Sequence, residues 1–231
     1  MQEINHNKQI YLSGGGNEHQ SLTLDKFFFN TIKSGGKFLY IPIALRGHKL
    51  FPTANLWMDG ILKLHNRTDI TFEVMDNPSE YTQDDLEKFD AVYVGGGNTW
   101  SLIQELKESE FSELLISYIE SGKIMYGGSA GAIILGKRID THDDENKQNS
   151  KDVEGFDKLS GYSITCHFKI EDGDRFQSWA VLNKLPIICL PEETGLIVVD
   201  NIATCVGEKP CQIYKADGSS VQVLPKETFS I

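Results

Sequence analysis

Apolar and polar positions alternate along this chain between two rhythms. Short, mostly apolar runs end in glycine or proline: "QIYLSGGGN" (9–17), "KFLYIPIA" (37–44), "DITFEVM" (69–75), "DAVYVGGGN" (90–98) and "KIMYGG" (123–128). Runs of that length and composition read as buried strands. Between them lie stretches with apolar residues spaced three and four apart: "SLTLDKFFFNTIKSGG" (21–36), "FPTANLWMDGILKLHN" (51–66), "TQDDLEKF" (82–89), "TWSLIQELKES" and "EFSELLISYIESG". These read as helices. Thr82 followed by acids is an N-cap signal, and Gly35–Gly36 and Gly122 are stops. A β-α-β-α order predicts an α/β fold, a mostly parallel sheet with helices on both faces. Several of the strands lack polar alternation, as expected when both sheet faces are covered.

The last third has a different texture. "IICLPEETGLIVVDNIATCVG" and "PCQIYKADGSSVQVL" are short β runs broken by Gly, Asp and Pro. They predict later sheet strands and a C-terminal β extension. The polar segment 140–155, "DTHDDENKQNSKDVEG", reads as a mobile loop. With no repeat and no interdomain linker in sight, residues 1–231 read as a single domain.

Composition narrows the partners. Hydrophobic residues make up 40% of the chain, enough for a core, and the net charge of −11 disfavours nucleic acid and anionic membrane as general partners. No stretch approaches the ~18 apolar residues of a membrane span. "MQEINHNKQI" lacks the basic and apolar regions of a signal peptide. Cys166, Cys189, Cys205 and Cys211 show no CxxC spacing and read as buried, reduced thiols of a cytoplasmic protein. Cys and His make no zinc pattern, and neither a metal nor an organic cofactor is expected. A homodimer is compatible with the sequence.

The chemistry concentrates in "GGSAGA" (127–132), where Ser129 falls between strand and helix. A nucleophile on so tight a turn needs small neighbours, because the backbone is strained and the hydroxyl must stand clear. The following helix N-terminus favours negative charge, and the Ala130 N–H is placed to meet a developing oxyanion. The same turn would also suit a phosphate cradle or plain tight packing. A second glycine turn, Gly95-Gly96-Gly97, ends another strand. Ligands of open α/β sheets sit outside the carboxyl ends of the strands, so both turns belong on one edge. Gly96 and Gly97 are then candidate oxyanion donors, and Asn98 a candidate substrate contact. "SGGGN" (13–17) lines the same edge and is assigned no chemistry.

A serine needs a base. His6 lies near the chain start, His65 at a helix end, and His19 and His48 after strand ends, with nothing to single them out. His142 sits in an acidic loop. His167, in the β-like run "YSITCHFKI", is preferred as a fixed imidazole. The orienting acid is Asp144 in the acidic loop or Glu192 after "PIICL".

"VGGGNTWSLI", then "GGSAGA", "HF" and "PEETGLIV" together resemble the peptidase E and cyanophycinase family of serine hydrolases, over about residues 9–206. The resemblance implies a flavodoxin-like fold related to class I glutamine amidotransferases, with Ser129 as nucleophile and His167 as base. It places the acid on Glu192 or Asp144. The stretch "PEETG" departs from a "DE-x-TA" pattern at Pro191 and Gly195, which keeps both acids open. It also implies a small peptide as substrate, with an N-terminal Asp as one form. A carboxylate-bearing substrate needs a cation, and Arg175 is the first candidate, with Lys169, Arg46 and Lys49 behind it. Two other classes stay in view: an esterase or acyltransferase using the same serine, and a catalytically silent amidotransferase-like binding domain.

Overall fold

Residue parity along the first strand shows how the sheet is buried. In β1 (Gln9–Ser13), Ile10 and Leu12 pack into one apolar cluster and Tyr11 into another. Both clusters need helices. The computed structural model, which describes residues 8–231, supplies them in the expected alternation: α1 (Leu22–Thr31), β2 (Lys37–Ile41), α2 (Ala54–Leu64), β3 (Thr71–Val74), α3 (Gln83–Leu86), β4 (Ala91–Val94), α4 (Thr99–Glu108), α5 (Phe111–Glu120) and β5 (Ile124–Gly128). In β2, Leu39 and Ile41 join the first cluster while Phe38 and Tyr40 join the second, and β4 divides Val92 and Val94 from Ala91 and Tyr93 in the same way. Strands buried on both faces cannot show a polar alternation, which explains their near-continuous apolar sequences. In the second cluster the rings of Tyr11, Phe29, Phe38, Tyr93 and Tyr126 surround Phe28 with centroids 5.1–6.2 Å away. Burying such a ring stabilises the fold by roughly 1.5–3 kcal/mol.

Strands lie in the order β3-β2-β4-β5-β1, each neighbouring pair parallel. The predicted Thr82 cap is present on α3: its side chain accepts from Asp85 N–H while the Asp85 carboxylate accepts from Thr82 N–H. After β5 the helix α6 (Ala130–Ile133) lasts a single turn.

The later strands divide between two sheets. After β6 (Ser163–Thr165), α7 (Gly173–Asn183) and β7 (Ile187–Cys189) come β8 (Thr194–Val199), β9 (Ile202–Gly207), β10 (Cys211–Tyr214), β11 (Ser220–Val223) and β12 (Thr228–Ser230). Strands β8, β9 and β12 extend the main sheet antiparallel beyond β1, giving it eight strands among the described residues. Strands β6, β7, β10 and β11 form a separate four-stranded sheet. The β-like run around His167 is shorter than its sequence suggests. The strand ends at Thr165, and His167 stands in the turn beyond it at φ +55°.

The acidic segment 140–155 has no helix or strand, yet it is tethered. Thr141 Oγ1 donates to Ile164 O, Thr165 Oγ1 donates to Thr141 O at 2.7 Å, and Asn98 Nδ2 donates to Glu145 O at 2.9 Å. No helix of the described residues is long and apolar enough to cross a membrane.

Candidate active site

The turn at Ser129 is built by glycines on either side. A Cβ on Gly127 would lie 2.4 Å from the Gly131 carbonyl oxygen, and one on Gly131 would lie 2.4 Å from that of Val94. At Gly128 the nearest atom would be 3.6 Å away, an ordinary contact, so that glycine is not sterically required. Ser129 itself has φ +49° and ψ −108°, a conformation that non-glycine residues avoid. Holding it costs about 1–3 kcal/mol, supplied by the surrounding structure. Ser129 N–H donates to Ser13 O at 3.1 Å, and the buried Cys166 Sγ approaches Ser13 O at 3.4 Å and Ser129 O at 3.6 Å. Burial pushes the Cys166 thiol up, so it serves as packing and a weak donor rather than a nucleophile.

Ser129 Oγ is 2.8 Å from His167 Nε2, and His167 Nδ1 is 2.9 Å from Glu192 Oε1. The partners assign the tautomer: Nδ1–H donates to the carboxylate, leaving Nε2 to accept from the serine hydroxyl. Glu192 Oε2 accepts in turn from Gln20 Nε2 at 2.7 Å. The bond to His167, assisted by Gln20, holds the Glu192 carboxyl below its usual range against a burial effect of opposite sign. The imidazole is 49% exposed and the Glu192 side chain 40%, so water reaches the line of contacts.

His167 owes its place to the glycine run given no role from sequence. Its N–H donates to Gly14 O at 2.8 Å. A Cβ on Gly14 would meet Pro191 O at 1.9 Å, and one on Gly15 would meet His167 Cε1 at 2.3 Å. Gly14, Gly15 and Gln20 are thus parts of the site that sequence reasoning missed. The one available signal was that "SGGGN" and "VGGGN" both end strands, which a parallel sheet brings to one edge.

Other candidates take different places. Asp144 does not reach His167: its Oδ2 accepts from Thr99 N–H at 2.7 Å, at the α4 N-terminus, where a carboxylate is favoured. His142 Nδ1 accepts from Asp144 N–H at 3.0 Å within the same loop. Asn98 caps α4 by accepting from Ser101 N–H at 2.8 Å. Arg175 gives both terminal nitrogens to Asp143, at 2.6 and 2.8 Å. Lys169 does not share a strand face with His167, because no strand runs through them; it is exposed in the turn after His167. Arg46 pairs with Glu105 at 2.9 Å. His65, expected simply to end a helix, is buried 4.0 Å from Asp25, and His6 lies outside the described residues.

The Gly95–Gly97 turn faces the serine. A Cβ on Gly96 would lie 3.1 Å from Ser129 Cβ, and Gly97, at φ +140°, packs where a Cβ would meet Ala44 O at 2.2 Å. Among the described residues, no hydrogen bond of a turn or loop uses the N–H of Gly96, Gly97 or Ala130. Two clefts meet at Ser129 and His167. One, of about 570 Å³, is walled by aromatic and aliphatic side chains; the other, of about 410 Å³, holds His142, Asp143, Asp144, Asp172 and Arg175. Among the described residues no cluster of three or more His, Cys, Asp or Glu is arranged to hold a metal ion.

Comparison with known proteins shows what the chain as a whole is similar to. The family model described as "Peptidase family S51" matches residues 9–206. The "Probable alpha-aspartyl dipeptidase" of Drosophila melanogaster is 26% identical over 204 residues, 81% of this chain and 79% of that protein. Peptidase E of Haemophilus influenzae (strain PittGG) is 26% identical over 138 residues, 55% of this chain and 58% of that one. The crystal structure of a peptidase from an acI-B1 Actinobacterium superposes with a TM-score of 0.72 at 21% identity, covering 98% of each chain. At that identity the likeness is one of fold, the flavodoxin-like α/β arrangement expected from the sequence.

Proposed function

This chain belongs to peptidase family S51 and is a serine peptidase, and from that premise we propose that it hydrolyses small peptides through Ser129, His167 and Glu192. The observation that carries the reading is the continuous line of contacts from Ser129 Oγ through the imidazole to Glu192, anchored on a serine at positive φ. His167 Nε2 takes the proton from Ser129 Oγ as the oxygen attacks the peptide carbonyl carbon. The tetrahedral oxyanion is met by Ala130 N–H and by an N–H of the Gly96–Gly97 turn; each such donor contributes on the order of 10²–10³ in turnover. The proton on Nε2 passes to the leaving amine, and the C–N bond breaks. Water, deprotonated by His167, then releases the acyl group from Oγ. Glu192 stays ionised and holds the imidazolium.

Cleavage after an N-terminal aspartate, the activity in the Drosophila relative's name, needs a cation facing the serine. Arg175 lines the second cleft, and reading a substrate carboxylate requires it to exchange its Asp143 partner. The test is a dipeptide and tripeptide panel on wild type and Ser129→Ala, with a fluorophosphonate probe for serine labelling. Ser129-dependent turnover and labelling are expected. Undiminished hydrolysis by Ser129→Ala would overturn the reading.

A further inference from the structure

Resting on the serine-peptidase reading, we infer that the larger cleft is a specificity pocket for a large apolar side chain, aromatic above all, on a residue flanking the scissile bond. The cleft measures about 570 Å³ and opens directly beside Ser129 and His167. Its deep part is formed by Tyr40, Tyr93 and Tyr126, each no more than 5% exposed, and its rim by Leu50, Leu56 and Trp57, each at least 38% exposed. Tyr93 and Tyr126 are stacked with centroids 4.1 Å apart, and Trp57 stands 6.1 Å from Tyr40 and 6.4 Å from Tyr93. These rings pack against one another as one wall of the cleft, so a ring entering the cleft meets an aromatic surface rather than scattered side chains.

The lining also excludes charge. Among the described residues that line the cleft, His167 and the tyrosines, whose hydroxyls burial keeps protonated, are the titratable ones. Among the described residues, the lining has no Lys or Arg to receive a carboxylate. Beneath the deep end, Tyr126 donates its hydroxyl to the buried carboxyl of Asp25 at 2.5 Å, and Ser21 Oγ donates to the same group at 2.7 Å. An acidic side chain would therefore be desolvated against aromatic rings with a carboxyl behind them. That combination is unfavourable without a paired cation. A phenylalanine or leucine side chain meets no such penalty and loses its own exposed apolar surface to the pocket.

The experiment compares kcat/KM for Phe-Ala, Ala-Phe, Asp-Ala, Ala-Asp and Ala-Ala. At one of the two positions Phe should exceed both Asp and Ala by about 10- to 100-fold, the range over which hydrophobic pockets discriminate. Trp57→Ala should bring the Phe-to-Ala ratio toward one, and Leu50→Arg, an exposed rim change, should raise Asp relative to Phe. If Asp equals or exceeds Phe at both positions, or neither variant moves the ratios, the inference is overturned while Ser129-dependent turnover leaves the peptidase reading standing. If wild type cleaves no peptide, the peptidase reading fails. Calorimetric binding of the dipeptides to Ser129→Ala then decides the pocket alone: tighter binding of a Phe dipeptide supports it, and equal or tighter binding of Asp overturns it.

Discussion

Adding one methyl group at Gly15 should disable the site without substituting any group that reacts. Gly15 has φ +96°, and a Cβ there would lie 2.3 Å from His167 Cε1 and 2.6 Å from Nε2. Carbon atoms in contact stand about 3.5–4.0 Å apart, so the ring must retreat by on the order of 1 Å. Ser129 Oγ and Nε2 are now 2.8 Å apart. A retreat of that size takes the pair beyond hydrogen-bond range. A 1 Å misplacement can cost about 10²-fold, and full loss of a positioned base roughly 10²–10⁴. We expect Gly15→Ala to lower kcat by about 100-fold or more, with less effect on KM. The variant also carries a backbone penalty of about 1–2 kcal/mol for an alanine at positive φ. Gly35→Ala separates the two effects: Gly35 has φ +75° and nothing within 4 Å of an added Cβ. It should lose comparable stability and keep its turnover. Steady-state kinetics on one peptide, with urea midpoints for both variants, makes the comparison. Turnover by Gly15→Ala within threefold of Gly35→Ala would falsify the packing argument.

Glu192→Gln should lower kcat about 10²–10⁴-fold by removing the charge that orients and stabilises the imidazolium, whereas Asp144→Asn should change turnover less than tenfold and instead cost about 1 kcal/mol by weakening the α4 N-terminus; a larger turnover loss at Asp144 would move the orienting role into the loop. Burial raises the Asp25 carboxyl from 3.8 to about 6, in spite of hydrogen bonds from Tyr126 and Ser21 that lower it. The folded chain then keeps a proton that the unfolded chain releases, so stability from this group is full below about pH 4 and is lost as pH rises to about 6. The unfolding free energy of Asp25→Asn minus that of wild type should therefore rise by roughly 2–3 kcal/mol between pH 4 and pH 7 in urea titrations, and a flat difference would refute it.

The parts of the protein legible in its sequence are those in which neighbours along the chain dictate one another's geometry. "GGSAGA" marks Ser129 because Gly127 must yield space to the Gly131 carbonyl four residues on. The succession of strands and helices along the parallel core follows from runs whose apolar content is itself the consequence of burial on both faces. The Thr82 cap is a contact across three residues. Each of these is local, and local sterics and periodicity leave a trace in a single sequence. The rest depends on groups far apart in the chain. His167 meets Ser129 across 38 residues and Glu192 across 25, while Gln20 reaches Glu192 across 172. Whether Glu192 or Asp144 faces the imidazole is settled by β8 pairing antiparallel with β1, which carries the start of β8 to the glycine turn. No residue near Asp144 signals that its carboxylate is taken by a helix N-terminus 45 residues earlier. The division of the late strands into two sheets, and the aromatic cleft assembled from β2, β4, β5 and α2, likewise arise only when distant segments pack. The free energy of those contacts depends on which surfaces meet, and a one-dimensional pattern does not encode that meeting.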